Sequence, residues 1–154
     1  MELFSSSKKS LQRDIRRKHD ILFIMKKKDR LAKNTKPKRS SAGIGLFAME
    51  NIKKGEFIIE YVGEIMTRKE ADEAGGKYLF ETSSNRVIDG SARSNKARYI
   101  NHACKPNAEV EIERGHINAY AIKNIKEGEE VVYDYGKEYT DEYCKPCLCF
   151  SCKK

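Results

Sequence analysis

Short apolar runs separated by turn residues dominate residues 42–136, and this pattern predicts a mostly β domain. The runs over residues 77–82 and 86–88 flank the turn Ser83-Ser84-Asn85, which predicts one pair of strands. The runs over residues 110–112 and 117–122 flank Arg114-Gly115, which predicts a second pair. The pattern as a whole indicates many short strands and little helix.

A degenerate internal repeat appears when the sequence is shifted by 73 positions. Residues 48–63 then align with residues 121–136, so that Ile52 falls on Ile125 and the Gly-Glu pair at 55–56 falls on the pair at 128–129. Each copy has an apolar run, a turn ending in Gly-Glu and a β-branched run, which is typical of a strand–turn–strand unit. The repeat predicts two similar β units at opposite ends of the domain. Duplication and convergent turn chemistry both stay open as its origin.

A short helix is indicated between the strands. Thr67-Arg68-Lys69-Glu70 fits a capping box, residues 71–74 continue the helix, and Gly75-Gly76 end it. This pattern predicts a surface helix of about two turns. Residues 91–100 are interpreted as a helical turn.

The net charge of +8 is concentrated at the amino-terminal end. Residues 1–41 contain 14 Lys or Arg and 4 Asp or Glu, a net charge of +10, and the other 113 residues carry −2. We interpret residues 1–39 as a basic arm, helical or disordered, with a hinge at 34–41 and with Met25 as an alternative start. A basic arm attracts nucleic acid, and a slightly acidic body suits a cationic substrate. A solvated leader without a partner is the alternative interpretation of the arm.

Composition and run length exclude several classes of protein. Hydrophobic residues make up 39% and charged residues 35%, with 3 prolines, which excludes collagen-like, mucin-like and wholly disordered chains. No apolar run approaches the roughly 20 residues of a membrane span. The longest apolar run near the start, residues 21–25, is shorter than the core of a secretory signal. We therefore expect a soluble, intracellular protein.

The cysteines indicate a metal site rather than disulfides. Four of the five lie within residues 144–152, and an odd count without a secretory signal argues against a disulfide framework. Cys-x-x-Cys and Cys-x-Cys spacings allow several thiolates to bind one tetrahedral Zn²⁺, which would order a tail that has no core of its own. A self-contained four-cysteine site and a site completed by Cys104 both fit this spacing.

Three further motifs fit a ligand site. Residues 42–48 contain a Gly-x-Gly turn, where a backbone approaches a ligand closely, but a plain tight turn is the alternative and the dinucleotide fingerprint is absent. Residues 98–107 offer side-chain donors and acceptors, with a structural histidine as the alternative. Residues 131–136 place Tyr133 and Tyr135 on one strand face, either as core or as the lining of a narrow aromatic slot. The Asp-Tyr-Gly in this last motif is similar to a kinase motif, but the other kinase loops are missing.

Taken in order, these motifs resemble those of SET-domain protein lysine methyltransferases. The resemblance covers residues 40–152, and the cysteine-rich end is similar to the post-SET zinc segment. The matching segments are Gly-Ile-Gly-Leu-Phe-Ala at 43–48, Glu-Tyr-Val-Gly-Glu at 60–64, Ile-Asp-Gly at 88–90, Arg-Tyr-Ile-Asn-His-x-Cys-x-Pro-Asn at 98–107, and Gly-Glu-Glu-Val-Val-Tyr-Asp-Tyr-Gly at 128–136. The resemblance implies a mostly β fold of several small sheets with a knot-like C-terminal crossing. It also implies a SET domain at 40–138 and a post-SET segment at 139–154, after the arm at 1–39.

The resemblance also implies roles for individual residues. The positions implied to bind S-adenosylmethionine are Gly43, Ile44, Gly45, Arg98, Asn101, His102 and Tyr135. The tyrosines implied to form the methyl-transfer site and the lysine channel are Tyr135, Tyr78 and Tyr133, of which Tyr133 would limit the number of methyl groups transferred. The implied Zn²⁺ ligands are Cys104, Cys147, Cys149 and Cys152. Cys144 is the alternative ligand, because the last two cysteines are closer together here than is usual in the family.

The function that the resemblance implies is an S-adenosylmethionine-dependent protein-lysine N-methyltransferase with a structural Zn²⁺. The expected substrate is a histone tail or another lysine-rich protein, the arm is a candidate contact for nucleic acid, and no membrane partner is expected. The expected location is the nucleus, on chromatin, in a eukaryote and the cytoplasm in a bacterium. The alternatives are a non-catalytic SET-like module that binds chromatin or nucleic acid, and a methyltransferase for non-histone proteins in a bacterium or virus. The presence of Asn101, His102 and Tyr135 together favours an enzyme.

Overall fold

The computed structural model describes residues 31–152, and within them the chain forms ten short strands, two α-helices and one 3-10 turn. The first half contains β1 Thr35–Ser40, β2 Gly43–Ala48, β3 Phe57–Tyr61, β4 Glu64–Met66, α1 Arg68–Ala74, β5 Leu79–Ser83 and β6 Arg86–Asp89. The second half contains the 3-10 turn Lys96–Tyr99, β7 Asn101–His102, β8 Ala108–Glu113, β9 His116–Ala121, β10 Glu130–Tyr133 and α2 Lys137–Tyr143. The prediction of a mostly β fold with few short helices is confirmed.

The strands form three small sheets in the described part of the chain. Their orders are β1-β2-β10-β7, β3-β9-β8 and β4-β6-β5. All neighbours are antiparallel except β10 and β7, which pair in parallel with Tyr133 opposite His102. This parallel pair places the closing strand of the domain beside the short strand that carries Asn101 and His102.

The two copies of the internal repeat pair with each other, so the prediction that they lie at opposite ends of the domain is wrong. β2 of the first unit pairs with β10 of the second, and β3 of the first unit pairs with β9 of the second. Each strand of one unit thus pairs with a strand of the other unit. Between the strands, the N–H groups of Ile52 and Ile125 each donate to the other residue's carbonyl oxygen, both at 2.8 Å. The two strands within a unit do not pair with each other, so each has an open edge, and the matching unit supplies the neighbour for that edge.

The hinge predicted at residues 34–41 is also wrong, because residues 35–40 form β1. The sheet therefore begins before the predicted boundary at residue 40. Thr35 is buried against the core, and Pro37 lies opposite Leu46 of β2. Proline is tolerated here because β1 is an edge strand with hydrogen-bonded residues on one side only.

The predicted helix and the hairpin turns are confirmed. Thr67 caps α1 with both hydrogen bonds of the capping box, and Gly75, at φ 62°, ends the helix in the left-handed region that favours glycine. The predicted turn between β8 and β9 places Arg114 and Gly115 at φ 50° and 80°, which matches the twist of a tight hairpin. The helical turn expected at residues 91–100 is the 3-10 turn.

The main core combines residues of both repeat units with residues of β2, β8, β9 and the 3-10 turn. Its largest fully buried side chains include Leu46, Ile52, Ile58, Ile125 and Val131. Burial of each such side chain contributes on the order of 1.5–3 kcal/mol, so this core fixes the positions of the strand ends that surround it. The interpretation of residues 1–30 as a basic arm, and of Met25 as an alternative start, lies outside the described residues.

Candidate active site and cysteine cluster

A cavity of about 960 Å³ opens where β2, the 3-10 turn, β7 and the end of β10 meet. Most residues predicted to form the site line it, namely Gly43, Ile44, Tyr78, Arg98, Asn101, Tyr133 and Tyr135. Gly45 and His102 do not line the cavity. A Cβ at Gly45 would overlap the Glu130 side chain, and the His102 ring contacts other protein atoms. The cavity is large enough for a ligand of the size of a nucleoside with a side arm.

The expected turn at Gly43-Ile44-Gly45 is instead the start of β2, directly after a turn at residues 41–42, and we keep the name glycine turn for it. Its two glycines are required by two different constraints. Gly43 has φ 112°, a backbone conformation that other residues rarely adopt, and nothing would contact a Cβ there. At Gly45, by contrast, a Cβ would overlap the side-chain carboxylate of Glu130. The second glycine therefore allows β10 and its acidic side chain to approach β2 closely.

Glu130 holds the amide of Asn101 against the glycine turn. The Asn101 Nδ2 group donates to Glu130 Oε1 at 2.7 Å and to the carbonyl oxygen of Ile44 at 3.1 Å. The hydroxyl of Ser40 donates to Glu130 Oε2 at 2.7 Å. Charge-assisted hydrogen bonds of this kind are the stronger ones in proteins, so the carboxylate fixes the orientation of the Asn101 side chain. Sequence reasoning missed Glu130, because no local spacing places it beside Gly45.

Arg98 stacks on one wall of the cavity. Its guanidinium carbon lies 3.9 Å from the centroid of the Tyr78 ring, and its Nη1 group donates to the carbonyl oxygen of Ser91. The hydrogen bond and charge of Arg98 lower the pKa of Tyr78 from its usual value. The Nε atom of Arg98 is buried and has no hydrogen-bond partner.

Three tyrosine rings in contact with one another form an aromatic wall of the cavity. The ring centroids of Tyr133 and Tyr135 are 4.7 Å apart, and that of Tyr139 lies 5.2 Å from that of Tyr135. The hydroxyl of Tyr135 donates to the carbonyl oxygen of Ile100 at 2.6 Å. Burial, followed by neighbouring tyrosines, raises the pKa of both Tyr133 and Tyr135. Both phenols are therefore neutral near pH 7 and act as hydrogen-bonding groups rather than as strong bases.

Tyr61 and Tyr139 are further lining residues to which sequence reasoning assigned no role. The Tyr61 hydroxyl donates to the carbonyl oxygen of Tyr78 at 2.6 Å, and a Cβ at Gly90 would overlap the Tyr61 ring. Tyr139 projects from α2 and its hydroxyl is 3.5 Å from the carbonyl oxygen of Lys77. For Tyr61, the sequence feature that could have indicated a site residue was the Glu60-Tyr61-Val62-Gly63 segment. For Tyr139, it was only the position four residues after Tyr135.

Four of the five cysteines converge beside this wall. The sulfur atoms of Cys104, Cys147, Cys149 and Cys152 all lie within 4.8 Å of one another. Sulfur–sulfur distances of 3.9 Å from Cys104 to Cys147 and 3.5 Å from Cys104 to Cys152 agree with the roughly 3.8 Å edge of a tetrahedron with Zn–S bonds of about 2.3 Å. Cys144 is outside this cluster. The donor set fits a Zn²⁺ ion, and the four cysteines are those implied by the sequence resemblance.

The thiols of the cluster strongly perturb one another. Hydrogen bonds with the Cys152 and Cys147 thiols raise the pKa of Cys104 to about 12. Burial raises the pKa of Cys149, but hydrogen bonds with Cys104 and Ser151 outweigh this effect and lower it to about 5. The lowered pKa of Cys149 favours the thiolate, which is the form that binds metal.

Comparison with known proteins identifies the family to which this architecture belongs. The model of the SET domain family matches residues 43–136, and the chain belongs to that family. The H3 lysine-4 specific histone-lysine N-methyltransferase of Schizosaccharomyces pombe is 41% identical over 120 residues, which is 69% of this chain and 13% of the relative. The histone-lysine N-methyltransferase set1 of Dictyostelium discoideum is 39% identical over 122 residues, or 71% of this chain and 8% of the relative.

Solved structures agree with this assignment. The polycomb repressive complex 2 of Chaetomium thermophilum superimposes with a TM-score of 0.62 and 34% identity, covering 70% of this chain and 16% of that chain. The same complex in an autoinhibited conformation bound to S-adenosylmethionine gives a TM-score of 0.60 and 35% identity, covering 69% of this chain and 15% of that chain. This chain thus spans a small part of each of these relatives. No helix within residues 31–152 combines the length and apolarity needed to cross a membrane.

Proposed function

We propose that this protein is an S-adenosylmethionine-dependent protein-lysine N-methyltransferase whose substrate is a histone tail or another lysine-rich protein. The observation that carries the proposal is the convergence of the glycine turn, Asn101 and Arg98 with the tyrosines of the wall around a single cavity. The polar lining residues suit a zwitterionic nucleoside, and the aromatic lining residues suit an alkylammonium side chain. When bound, S-adenosylmethionine supplies a methyl group on a positively charged sulfur.

The chain's own residues would bind and orient both reactants. The Asn101 amide, held by Glu130, and the Arg98 side chain both line the cavity and supply polar groups for the donor. Arg98 and the donor sulfur both carry positive charge, which disfavours a protonated lysine nearby. Since a lysine amine has a pKa near 10.4, its deprotonation at pH 7 costs roughly 4–5 kcal/mol, and burial among aromatic rings offsets part of this cost.

Tyr135 would position the reacting amine rather than remove its proton, because its phenol is neutral and its hydroxyl is bonded to Ile100. Tyr133 would contact the amine and restrict the space beside it. Alignment of the nucleophile in a fixed slot supplies a large part of the rate enhancement in reactions of this type.

The cysteine cluster would hold a structural Zn²⁺ with Cys104, Cys147, Cys149 and Cys152 as ligands. Such a metal would tie the tail at residues 147–152 to the loop that follows β7, where little apolar surface is available to do so. Because the relatives are histone-lysine methyltransferases, the nucleus and chromatin are the location we propose for a eukaryotic source. Contact between the basic segment at residues 1–39 and nucleic acid is part of the same proposal.

The proposal is tested by incubating the full chain with isotope-labelled S-adenosylmethionine and a panel of histones, followed by mass spectrometry of the products. We expect methyl groups on lysine in the wild type and a loss of at least about 100-fold in Tyr135→Phe. Tyr143→Phe is the matched control, because it removes an exposed hydroxyl outside the cavity. A folded, zinc-loaded wild type that binds the donor but methylates no protein would support a non-catalytic SET-like module instead.

A further inference from the structure

His102 lies between the candidate active site and the cysteine cluster. It belongs to β7, opposite Tyr133 of β10, and its side chain is 8% exposed. The ring centroid of His102 is 5.5 Å from that of Tyr135. On the other side, its Nε2 atom is 3.4 Å from the Cys104 sulfur. Both ring nitrogens therefore face protein atoms rather than the cavity.

The hydrogen-bond partners determine which nitrogen carries the proton in the neutral ring. The backbone N–H of Tyr135 points at Nδ1, at 3.3 Å, and an N–H group can only donate. Nδ1 must therefore present its lone pair. The carboxylate oxygen of Asp134 is 3.6 Å from Nδ1, too far for a hydrogen bond, and it accepts from the N–H of Gly136 at 2.9 Å instead. The proton then resides on Nε2, which faces sulfur.

An N–H group that faces a cysteine sulfur has a good hydrogen-bond acceptor when that sulfur is a metal ligand. A metal-bound thiolate has no proton and accepts hydrogen bonds, whereas a free thiol is a weak acceptor. Hydrogen bonds of this outer-shell type orient the ligand and tune the metal. The other ring nitrogen, Nδ1, accepts from the backbone N–H of Tyr135, whose side chain lines the cavity. One rigid ring thus connects the metal ligand Cys104 with the tyrosine of the cavity.

We propose that His102 is a positioning residue that couples the metal site to Tyr135, with Nε2–H donating to the Cys104 thiolate and Nδ1 accepting from the Tyr135 N–H. The inference rests on the metal role given to the cysteines under the proposed function. The bound metal keeps Cys104 as an acceptor, which fixes the tautomer and the ring. The fixed ring in turn holds the Tyr135 backbone, so that the order of the cavity wall depends on the metal.

Two substitutions separate the two halves of the coupling. The amide nitrogen of His102→Gln reaches the position of Nε2 and preserves a donor to sulfur, but it offers no acceptor to Tyr135. The amide oxygen of His102→Asn occupies the position of Nδ1 and preserves an acceptor for Tyr135, but it offers no donor to sulfur. His116→Asn is the matched control, because His116 is exposed and paired with Glu60.

The experiment uses the zinc-loaded full chain and three readouts that need no methyl transfer. Nitrogen-15 NMR of the imidazoles identifies the protonated nitrogen of His102, chelator competition gives zinc affinity, and hydrogen–deuterium exchange follows the Tyr135 amide. We expect protonation at Nε2 in the wild type. We expect zinc affinity to fall about tenfold or more in His102→Asn and to stay unchanged in His102→Gln. The Tyr135 amide should exchange faster in His102→Gln and keep its protection in His102→Asn.

Protonation at Nδ1, a wild type that binds no zinc, or an unchanged zinc affinity in His102→Asn would overturn the proposal. The same holds if the two variants change zinc affinity and amide exchange in parallel, since that is the result of a general loss of packing. If neither variant folds, the wild-type tautomer decides the matter alone. Failure of the proposed function is a separate result, because a protein without transferase activity still gives all three readouts.

Discussion

Ile52 and Ile125 exchange both of their backbone hydrogen bonds, each at 2.8 Å, and mark an approximate two-fold axis between the repeat units. The side chains beside them repeat the same exchange. Asn124 Oδ1 accepts from the Lys54 N–H at 2.9 Å, and Asn51 Oδ1 accepts from the Glu127 N–H at 3.0 Å. The axis explains why the turns of both units keep asparagine at the same position. The adjoining ends of the neighbouring strands β2 and β10 both line the cavity, through Gly43, Ile44 and Tyr133.

The symmetry predicts that Asn51→Ala and Asn124→Ala destabilise the protein to a similar extent. Each substitution leaves one turn N–H of the other unit without its side-chain acceptor, at a cost of about 1 kcal/mol. Urea unfolding of the full chain measures the change, with the exposed helix residue Glu73→Ala as control. If one substitution costs nothing while the other is destabilising, the two turns do not support each other symmetrically.

The network of Glu130 predicts a loss of donor affinity in Glu130→Ala. Without the carboxylate, the Asn101 amide keeps only the Ile44 carbonyl as acceptor and is free to rotate away from the glycine turn. Loss of a charge-assisted hydrogen bond of about 1.5–3 kcal/mol corresponds to a roughly 10- to 100-fold weaker binding of S-adenosylmethionine. Isothermal titration calorimetry measures the affinity. Glu111→Ala, an exposed residue of β8, is expected to bind as the wild type does, and equal affinities in both variants would contradict the role of Glu130.

Gly45→Ala tests the same network from the other side. The added methyl group occupies the space of the Glu130 carboxylate and displaces it from Asn101. We expect the donor affinity to fall and the free energy of unfolding to drop by about 1–3 kcal/mol, as overpacking usually does. Gly55→Ala is the control for backbone strain, since Gly55 has φ 86° and nothing near its Cβ position. A Gly45→Ala protein that binds the donor normally would argue against the close approach.

Tyr133→Phe is predicted to raise the number of methyl groups transferred to each lysine. The ring centroids of Tyr133 and Tyr135 are 4.7 Å apart, and removal of the Tyr133 hydroxyl leaves more room for a methylated amine. Mass spectrometry of the product peptide distinguishes mono-, di- and trimethyllysine over time. An unchanged product distribution in an active Tyr133→Phe enzyme would show that this hydroxyl does not limit the space.

The cysteine cluster predicts opposite results for two cysteine substitutions. Cys149→Ser removes a buried member of the four-sulfur group, so we expect loss of bound zinc and lower protection of residues 147–152 from proteolysis. Cys144→Ser removes the cysteine outside the group and should leave one zinc ion per chain. Elemental analysis of the purified proteins measures both. Zinc loss in Cys144→Ser with retention in Cys149→Ser would reverse the ligand assignment.

Local chemistry was sufficient for several features. The capping box of α1 needed only Thr67 and Glu70 in sequence, and the turn at Arg114-Gly115 needed only two residues able to adopt positive φ. The Cys-x-x-Cys spacing indicated a metal. These features involve residues within a few positions of one another, where backbone geometry alone sets the contact. The hinge expected around Pro37 was wrong, because a proline that often breaks a strand is tolerated at an edge.

The sequence by itself determined the mostly β character of the fold, the helix α1 and its cap, the clustering of cysteines in the tail and, through the order of its motifs, the family. Tertiary structure alone decided that the repeat units exchange strands, that Glu130 fills the space left by Gly45, and that His102 faces Cys104 on one side and Tyr135 on the other. The physical reason is the separation in sequence between the residues that make each contact. Periodicity, caps and turns act between near neighbours, whereas these contacts join residues that are brought together only when the buried faces of β2 and β10 pack into one core.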